Sequence, residues 1–326
     1  MTFSEIEGHE RPITILKRAL ANDTLAHAYL FSGEAGIGKK TTALALAAAV
    51  NCPDSGPGGG CGACPSCRKV ASNSHPDVRL PASEGDELKI DQIRQVQADL
   101  ALKPFEGTKK TLIIDFAERM NQAAANAFLK TLEEPPGDAL IILVTSLPQG
   151  LLPTIRSRCQ ELRFQPLPRR TLAEALVRKR GLSDEDARFL AALAQGSLGR
   201  GLEMDVEREK ADRDGLTALW SGLSGMSAAE VLALADAYAK DRERLDRLLD
   251  IGVERLRDLL VYRETGEERL LVRPEAGEGY RQRAERLPLP RMLADLELLT
   301  SSRTLLDRRV SAQLVAENLL FKLGRT

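Results

Sequence analysis

The stretch Gly33-Glu-Ala-Gly-Ile-Gly-Lys-Lys-Thr41 constrains what this chain can fold into more than any other. It follows the apolar run His27-Ala-Tyr-Leu-Phe-Ser32 and leads into Thr42-Ala-Leu-Ala-Leu-Ala-Ala-Ala-Val50. Strand, glycine-rich loop and helix, in that order, let a backbone wrap around phosphate groups. Glycines allow N–H groups to turn inward, and the helix N-terminus adds positive potential. Gly33, Gly36 and Gly38 supply the turns, and Lys39 is placed for the β- and γ-phosphates. The pattern asks for a hydroxyl directly after that lysine, as a magnesium ligand. Lys40 stands there instead, and the hydroxyl comes one residue late, at Thr41. One residue on a helix is a rotation of roughly 100°, so Thr41 does not simply substitute. The bland alternative is a structural turn that has kept its glycines.

A chain of 326 residues, 43% apolar and 29% charged, has room for two or three domains. Its net charge of −1 excludes a nucleic-acid binder acting through bulk charge. Any DNA contact falls to a local patch or to a partner. No apolar run approaches the roughly 20 residues of a membrane span. The N-terminus, Met1-Thr-Phe-Ser-Glu-Ile-Glu7, is acidic and polar and unlike a signal peptide, so a cytoplasmic location without membrane contact is expected.

Hydrophobic patterning divides the chain. Residues 9–22 carry Ile13, Ile15, Leu16 and Leu20 among charges, an amphipathic helix. Ala28–Ser32, Val78–Leu80, Lys110–Asp115, Ala139–Thr145 and Glu161–Phe164 read as strands. Helices are expected over Leu88–Lys103 and Ala117–Glu134, the second stopped by Pro135-Pro136. Continuous apolar strands separated by helices imply a parallel sheet covered on both faces. The pattern changes at Gln165-Pro-Leu-Pro168. Residues 171–203 give short helices broken at Gly181 and Gly196, and 207–326 give long amphipathic helices with a polar loop around Glu264–Gly279. The expectation is α/β followed by all-α: a nucleotide fold over 1–165 with an inserted cysteine-rich module at 51–68, a small helical domain over 166–206, and a helical domain over 207–326.

P-loop NTPases hold magnesium with a carboxylate at the end of a second strand, and Asp115 follows Thr111-Leu-Ile-Ile114. The next residue is Phe116, which neither accepts a proton nor orients water, and the nearest carboxylate is Glu118. Removing a general base typically costs about 10² to 10⁴ in rate. Binding suffers less, because the loop backbone and Lys39 remain. Thr145, at a strand end, is placed to touch a γ-phosphate or a water, or else to cap a turn.

Cys52, Cys61, Cys64 and Cys67 form C-x8-C-x2-C-x2-C around Gly56-Pro-Gly-Gly-Gly60. Four thiolates so close suit one tetrahedral, closed, structural zinc. Disulfides and an iron–sulfur cluster are the alternatives, the first disfavoured in a cytoplasmic chain. Cys159 reads as a small buried residue rather than a nucleophile, since His9, His27 and His75 belong to no triad motif. Its neighbour Arg158 is the sharper case. An arginine on an exposed helix end can reach a neighbouring subunit's nucleotide, although a surface ion pair is the ordinary role.

The cysteine quartet, Asn126-Ala-Phe-Leu-Lys-Thr-Leu-Glu-Glu-Pro-Pro136, Ser157-Arg-Cys159 and Gly196-Ser-Leu-Gly-Arg-Gly-Leu202 occur together and in order. Over about the first 205 residues the chain resembles the clamp loader subunits of bacterial DNA polymerase III, and the stretch Thr304-Leu-Leu-Asp-Arg-Arg-Val310 before a last apolar helix resembles that family's collar more weakly. The resemblance implies an AAA+ type domain, a helical lid, and a collar that packs with gamma/tau and delta subunits. Hydrolysing gamma/tau members carry Lys-Thr or Lys-Ser in the loop, Asp-Glu after the second strand, and a nucleotide-sensing arginine where this chain has Gly199, with Arg200 one place later. Lys39-Lys40, Asp115-Phe116 and Gly199 therefore resemble the delta-prime branch, which completes the ring without hydrolysing ATP. That implies zinc at Cys52, Cys61, Cys64 and Cys67, Arg158 acting in trans on a neighbour's ATP, and contact with the sliding clamp and primed DNA through the complex. ATP and magnesium would be unbound or unhydrolysed by this chain. The alternatives are a gamma/tau-like motor and a stand-alone zinc-containing DNA-binding module.

Overall fold

The computed structural model describes residues 2–56, 58–81, 87–271, 287–308 and 310–324. The chain divides into two compact units, Met1–Glu203 and Met204–Thr326. In the first, α1 (Glu10–Ala21), β1 (Ala28–Ser32), α2 (Lys39–Val50), α3 (Pro65–Ala71), β2 (Val78–Arg79), α4 (Ile90–Leu100), β3 (Thr111–Ile114), α5 (Gln122–Glu133), β4 (Leu140–Thr145), α6 (Pro153–Arg156) and β5 (Gln160–Arg163) follow one another. The strands form one parallel sheet in the order β2-β3-β4-β1-β5.

β1, β3 and β4 are buried at every position. Successive side chains on a strand point to opposite faces, and the two cores sort accordingly. Tyr29, Phe31, Ile113, Leu140, Ile142 and Val144 join residues of α1 and α2. Ala28, Leu30, Leu112, Ile114, Ile141 and Leu143 join residues of α4 and α5, among them Ile93, Val96 and Phe128. Burying one such side chain contributes about 1.5–3 kcal/mol, so continuous apolar runs in these strands are what a sheet covered on both faces requires. The edges are different. β2 is two residues long, and β5 exposes Gln160 and Arg163 while burying Leu162, short or charged edges of the kind that discourage pairing with another chain.

The helix expected over Ala117–Glu134 is interrupted. Ala117–Arg119 is a 3-10 turn. Asn121 then takes an extended backbone and caps α5, its side chain accepting from the Ala124 N–H at 2.9 Å. Short polar side chains compete for the backbone in this way. The helix expected from Leu88 begins at Ile90, because the Leu88 N–H donates to the Arg119 carbonyl at 2.9 Å. Beyond the sheet, α7 (Arg169–Arg180), α8 (Asp184–Leu193) and α9 (Leu198–Glu203) complete the first unit.

The second unit holds α10 (Val206–Gly222), α11 (Ala228–Lys240), α12 (Arg242–Thr265) and two further helices, Leu289–Asp307 and Ala312–Gly324. Its core gathers Leu245, Leu248, Leu256, Met292, Leu299 and Leu319. α11 opens with a capping box, Ser227 and Glu230 bonding each other's backbone N–H groups. Among the described residues no strand follows Arg163. The expected polar loop begins after Thr265 with a 3-10 turn at Glu268–Leu270; its remainder, 272–279, lies outside the described residues, as do Pro57 and Arg309. No helix of the described residues is long and apolar enough to cross a membrane.

Phe128 is fully buried and Phe105 is 83% exposed. Phe128→Ala should destabilise the first unit by about 3–5 kcal/mol, whereas Phe105→Ala should stay within about 0.5 kcal/mol. Urea unfolding of the two variants beside the parent checks this.

Candidate nucleotide cleft and metal centre

Strand register brings the glycine loop and the carboxylate together. Ser32 lies opposite Thr145, and Ile114 opposite Leu143. The loop, Asp115 and Thr145 therefore emerge at the same carboxyl edge, where open parallel sheets bind their ligands. A cleft of about 590 Å³ opens there, lined by Gly36, Gly38, Lys39, Lys40, Thr41, Asp115 and Thr145 among others. Gly33 starts the loop but does not line the cleft, and Arg158 lies elsewhere.

Lys39 is buried. Its ammonium donates to the Gly33 carbonyl at 2.6 Å and to that of Glu34. Burial holds its pKa below the ordinary lysine value, opposed by Glu118, Asp115 and Glu34. The loop's own carbonyls thus occupy the donors that a phosphate would engage. On its other side the loop meets α9. The Gly199 N–H donates to the Gly36 carbonyl at 3.0 Å. A Cβ at Gly36, whose φ is +74°, would fall 2.2 Å from Ser197 Oγ, so only glycine permits this approach. Gly199 offers no side chain to a ligand, and exposed Arg200 is not among the cleft's lining residues. Lys179 does line the cleft. The sequence disguises it, since Arg178-Lys179-Arg180 reads as the basic last turn that suits any helix dipole.

Magnesium takes near-octahedral oxygen ligands, and the residues present do not fit it. Lys40 Nζ lies 3.3 Å from Asp115 Oδ2, and Asp115 Oδ1 accepts from the Phe116 N–H at 3.2 Å. The Thr42 hydroxyl donates to the Gly38 carbonyl at 2.9 Å. Thr145 Oγ1 accepts from the Leu147 N–H at 3.0 Å, the turn-capping role. Phe116, at φ +53°, lies under the Arg119 guanidinium, 4.5 Å from its ring centroid. Glu118 accepts from Ser146 through its N–H at 3.1 Å and its hydroxyl at 2.7 Å. Burial alone would raise the Glu118 pKa, but these bonds and one with Thr145 hold it below the usual carboxylate value. It is a fixed acceptor rather than a base poised near neutrality.

The four cysteines converge. Cys52 follows α2, Cys64 is the N-cap of α3 and Cys67 lies inside it. Their sulfurs all lie within 4.8 Å of one another, and no disulfide joins them. The backbone N–H groups of Cys61, Cys64 and Cys67 donate to the sulfurs of Cys52, Cys61 and Cys64 at 3.3, 3.3 and 3.4 Å. Such bonds favour thiolates and orient metal ligands. A Cβ at Gly60 would sit 3.1 Å from Cys67 Sγ and 3.2 Å from the Ala48 backbone, so the knuckle rests directly on the phosphate-loop helix. The cluster can hold one metal ion.

Arg158 follows α6. It donates to the Thr154 carbonyl at 2.9 Å and to Glu133 Oε1 at 2.7 Å, with its side chain 35% exposed. Cys159 is half-buried, and burial pushes its thiol up to about 12, which removes it as a nucleophile.

A parallel sheet carrying a glycine loop and a facing carboxylate, with short helices packed against that loop, defines a P-loop nucleotide fold of the AAA+ type. The family model described as DNA polymerase III, delta subunit, matches residues 8–168. The delta-prime subunit of Bacillus subtilis DNA polymerase III is 30% identical over 97% of this chain and 96% of its own length. That of Pseudomonas aeruginosa is 33% identical over 74% of each. The Bacillus subtilis tau subunit is 27% identical over 92% of this chain but only 57% of its own. The chain belongs to the DNA polymerase III delta-prime subunit family.

In chain stripped of metal, exposed Cys61 should alkylate first. Hydrogen bonds from the Ala63 and Cys64 N–H groups lower its thiol to about 7, so the rate should rise through that pH and level off above it. Cys159, at about 12, should stay unmodified throughout the same range. Mass spectrometry after iodoacetamide pulses at stepped pH reads both sites.

Proposed function

We propose that this chain is the non-hydrolysing, stator-like member of a clamp loader assembly, offering Arg158 to the nucleotide of an adjacent gamma/tau subunit. The observation that carries the reading is the state of Asp115. Both of its oxygens are engaged within the chain, by Lys40 and by the Phe116 N–H, and Phe116 supplies no base. Membership of the delta-prime family supports the same conclusion.

Energetics favour an outward-directed arginine. Arg158 and Glu133 are 35% and 49% exposed, and an exposed pair contributes about 0.2–1 kcal/mol. An arginine supplied in trans is worth about 10³ to 10⁵ in rate, or about 4–7 kcal/mol of barrier. Releasing Arg158 from Glu133 therefore costs little beside what it would contribute.

The remaining assignments follow from this reading. Residues 1–165 are the AAA+ type domain, 166–206 the lid and 207–326 the collar that joins gamma/tau and delta subunits. Cys52, Cys61, Cys64 and Cys67 hold one structural zinc. Four sulfurs about 2.3 Å from a tetrahedral zinc would lie about 3.8 Å apart, and Cys52 and Cys64 are already 3.8 Å apart. The sliding clamp and primed DNA are met through the complex, with DNA contacts directed at phosphates. A gamma/tau-like motor is the second reading, favoured by the retained Gly33, Gly36, Gly38 and Lys39.

The isolated chain should show negligible ATP turnover with clamp and primed DNA; steady turnover abolished by Lys39→Ala would establish the motor instead. In an assembly reconstituted with gamma/tau and delta, Arg158→Ala should lower turnover at the neighbouring site by about 10³-fold or more, with the thermal unfolding of this chain unchanged. An assembly indifferent to the substitution would end the trans-arginine proposal. Protein purified without chelator should carry about one equivalent of zinc, and Cys67→Ser less than about half, by elemental analysis.

A further inference from the structure

The cleft carries a cation of its own. We propose that the Lys40 ammonium, held against Asp115, takes the place of a divalent ion, so that a polyphosphate entering this loop binds without magnesium.

The pair is the starting point. Lys40 Nζ stands 3.3 Å from Asp115 Oδ2, with the lysine side chain 48% exposed and the aspartate 19%. Both residues line the cleft. An ammonium has three donors, and Asp115 takes one, leaving others for phosphate oxygens.

Several of the oxygens near the pair already have partners within the chain. Asp115 Oδ1 accepts from the Phe116 N–H. The Ser32 hydroxyl donates to Glu161 at 2.7 Å, that of Ser146 to Glu118 at 2.7 Å, and that of Thr42 to the Gly38 carbonyl at 2.9 Å. Magnesium gives up its waters reluctantly and demands near-octahedral geometry. Here it would lose both customary anchors, the hydroxyl after Lys39 and an unpaired carboxylate, and would approach a fixed positive charge. A phosphate meets the opposite situation. It finds the first turn of α2, the Lys40 ammonium and, once Lys39 turns away from the carbonyls of Gly33 and Glu34, a second ammonium. A lysine is a compact point charge on a flexible stem, suited to follow the ligand's oxygens where a coordinated metal would dictate their geometry.

The inference concerns this chain's own loop and is independent of Arg158, so either can fail without the other. The test is a titration of the full chain with a fluorescent ATP analogue, once with excess magnesium and once with EDTA. Wild-type affinity should agree within about twofold between the two conditions, whereas Lys40→Thr, which restores the hydroxyl and frees Asp115, should bind about tenfold more tightly with magnesium than without. Lys40→Met removes the charge without adding a ligand and should weaken binding about fivefold or more in EDTA, with no recovery on adding magnesium. Wild-type affinity that rises tenfold with magnesium overturns the proposal. So does a Lys40→Thr protein as indifferent to the metal as the parent, or the absence of saturable wild-type binding in EDTA. Thermal unfolding of each variant, matched to wild type, confines the comparison to the cleft.

Discussion

The parallel pairing of β1 with β4, and of β4 with β3, is the constraint on which the rest of the first unit depends. It lays Ser32 beside Thr145 and Ile114 beside Leu143, and so delivers the glycine loop, Asp115 and Thr145 to one edge. Backbone hydrogen bonds make the pairing, and side chains choose its register. Every residue of the three strands is buried, and along each strand successive apolar side chains alternate between the two cores. A slip of one residue would exchange the two faces, placing Phe31 where Leu30 now packs. The site's geometry is thus a by-product of core packing. It survives whatever the loop residues do chemically, which is why a chain can keep the shell of a nucleotide site after its ligands have changed.

Inside that shell, charges have been redistributed rather than removed. Lys39 is satisfied by loop carbonyls, Asp115 by Lys40 and the Phe116 N–H, and Glu118 by Ser146. An unpaired charge buried at such a site is costly, and each of these groups has a partner within the chain. The cysteine cluster contributes from behind. Gly60 lets the cysteine knuckle approach both Cys67 Sγ and the Ala48 backbone, so the helix that begins at the phosphate loop is braced near its C-terminal end. Gly36 and Ser197 set the other side, where α9 presses on the loop so closely that no Cβ fits.

Local signals were legible in the sequence, and pairings between distant segments were not. The glycine loop, the cysteine quartet and the apolar strands announce themselves because each is written in consecutive residues. Their convergence also followed, since a parallel sheet puts loops at strand ends. What could not be read is who neutralises whom. Lys40 reads as a missing hydroxyl and Asp115 as a magnesium ligand, yet they form one ion pair, and only the strand order β3-β4-β1 brings them together. Lys179 enters the cleft from a basic helix end that reads as ordinary capping. The break at Asn121 was hidden by the helical periodicity on both sides of it. Its cause, a side-chain acceptor for the Ala124 N–H, is visible only once the backbone is placed.

The same distinction bears on Arg158. Its own site has no charge left for it to stabilise, and it lies outside the cleft. What holds it is Glu133, at the end of α5, with the Thr154 carbonyl fixing the other side of the guanidinium. These contacts order the fork without burying it. A guanidinium already held toward one carboxylate is pre-organised for another oxyanion, so less rotamer entropy is lost when it changes partner than for a side chain free in water. Glu133 would then act as a placeholder for a neighbour's phosphate. Removing it should leave the arginine with the same reach but a less ordered starting position, a difference that belongs to assembly kinetics rather than to the fold.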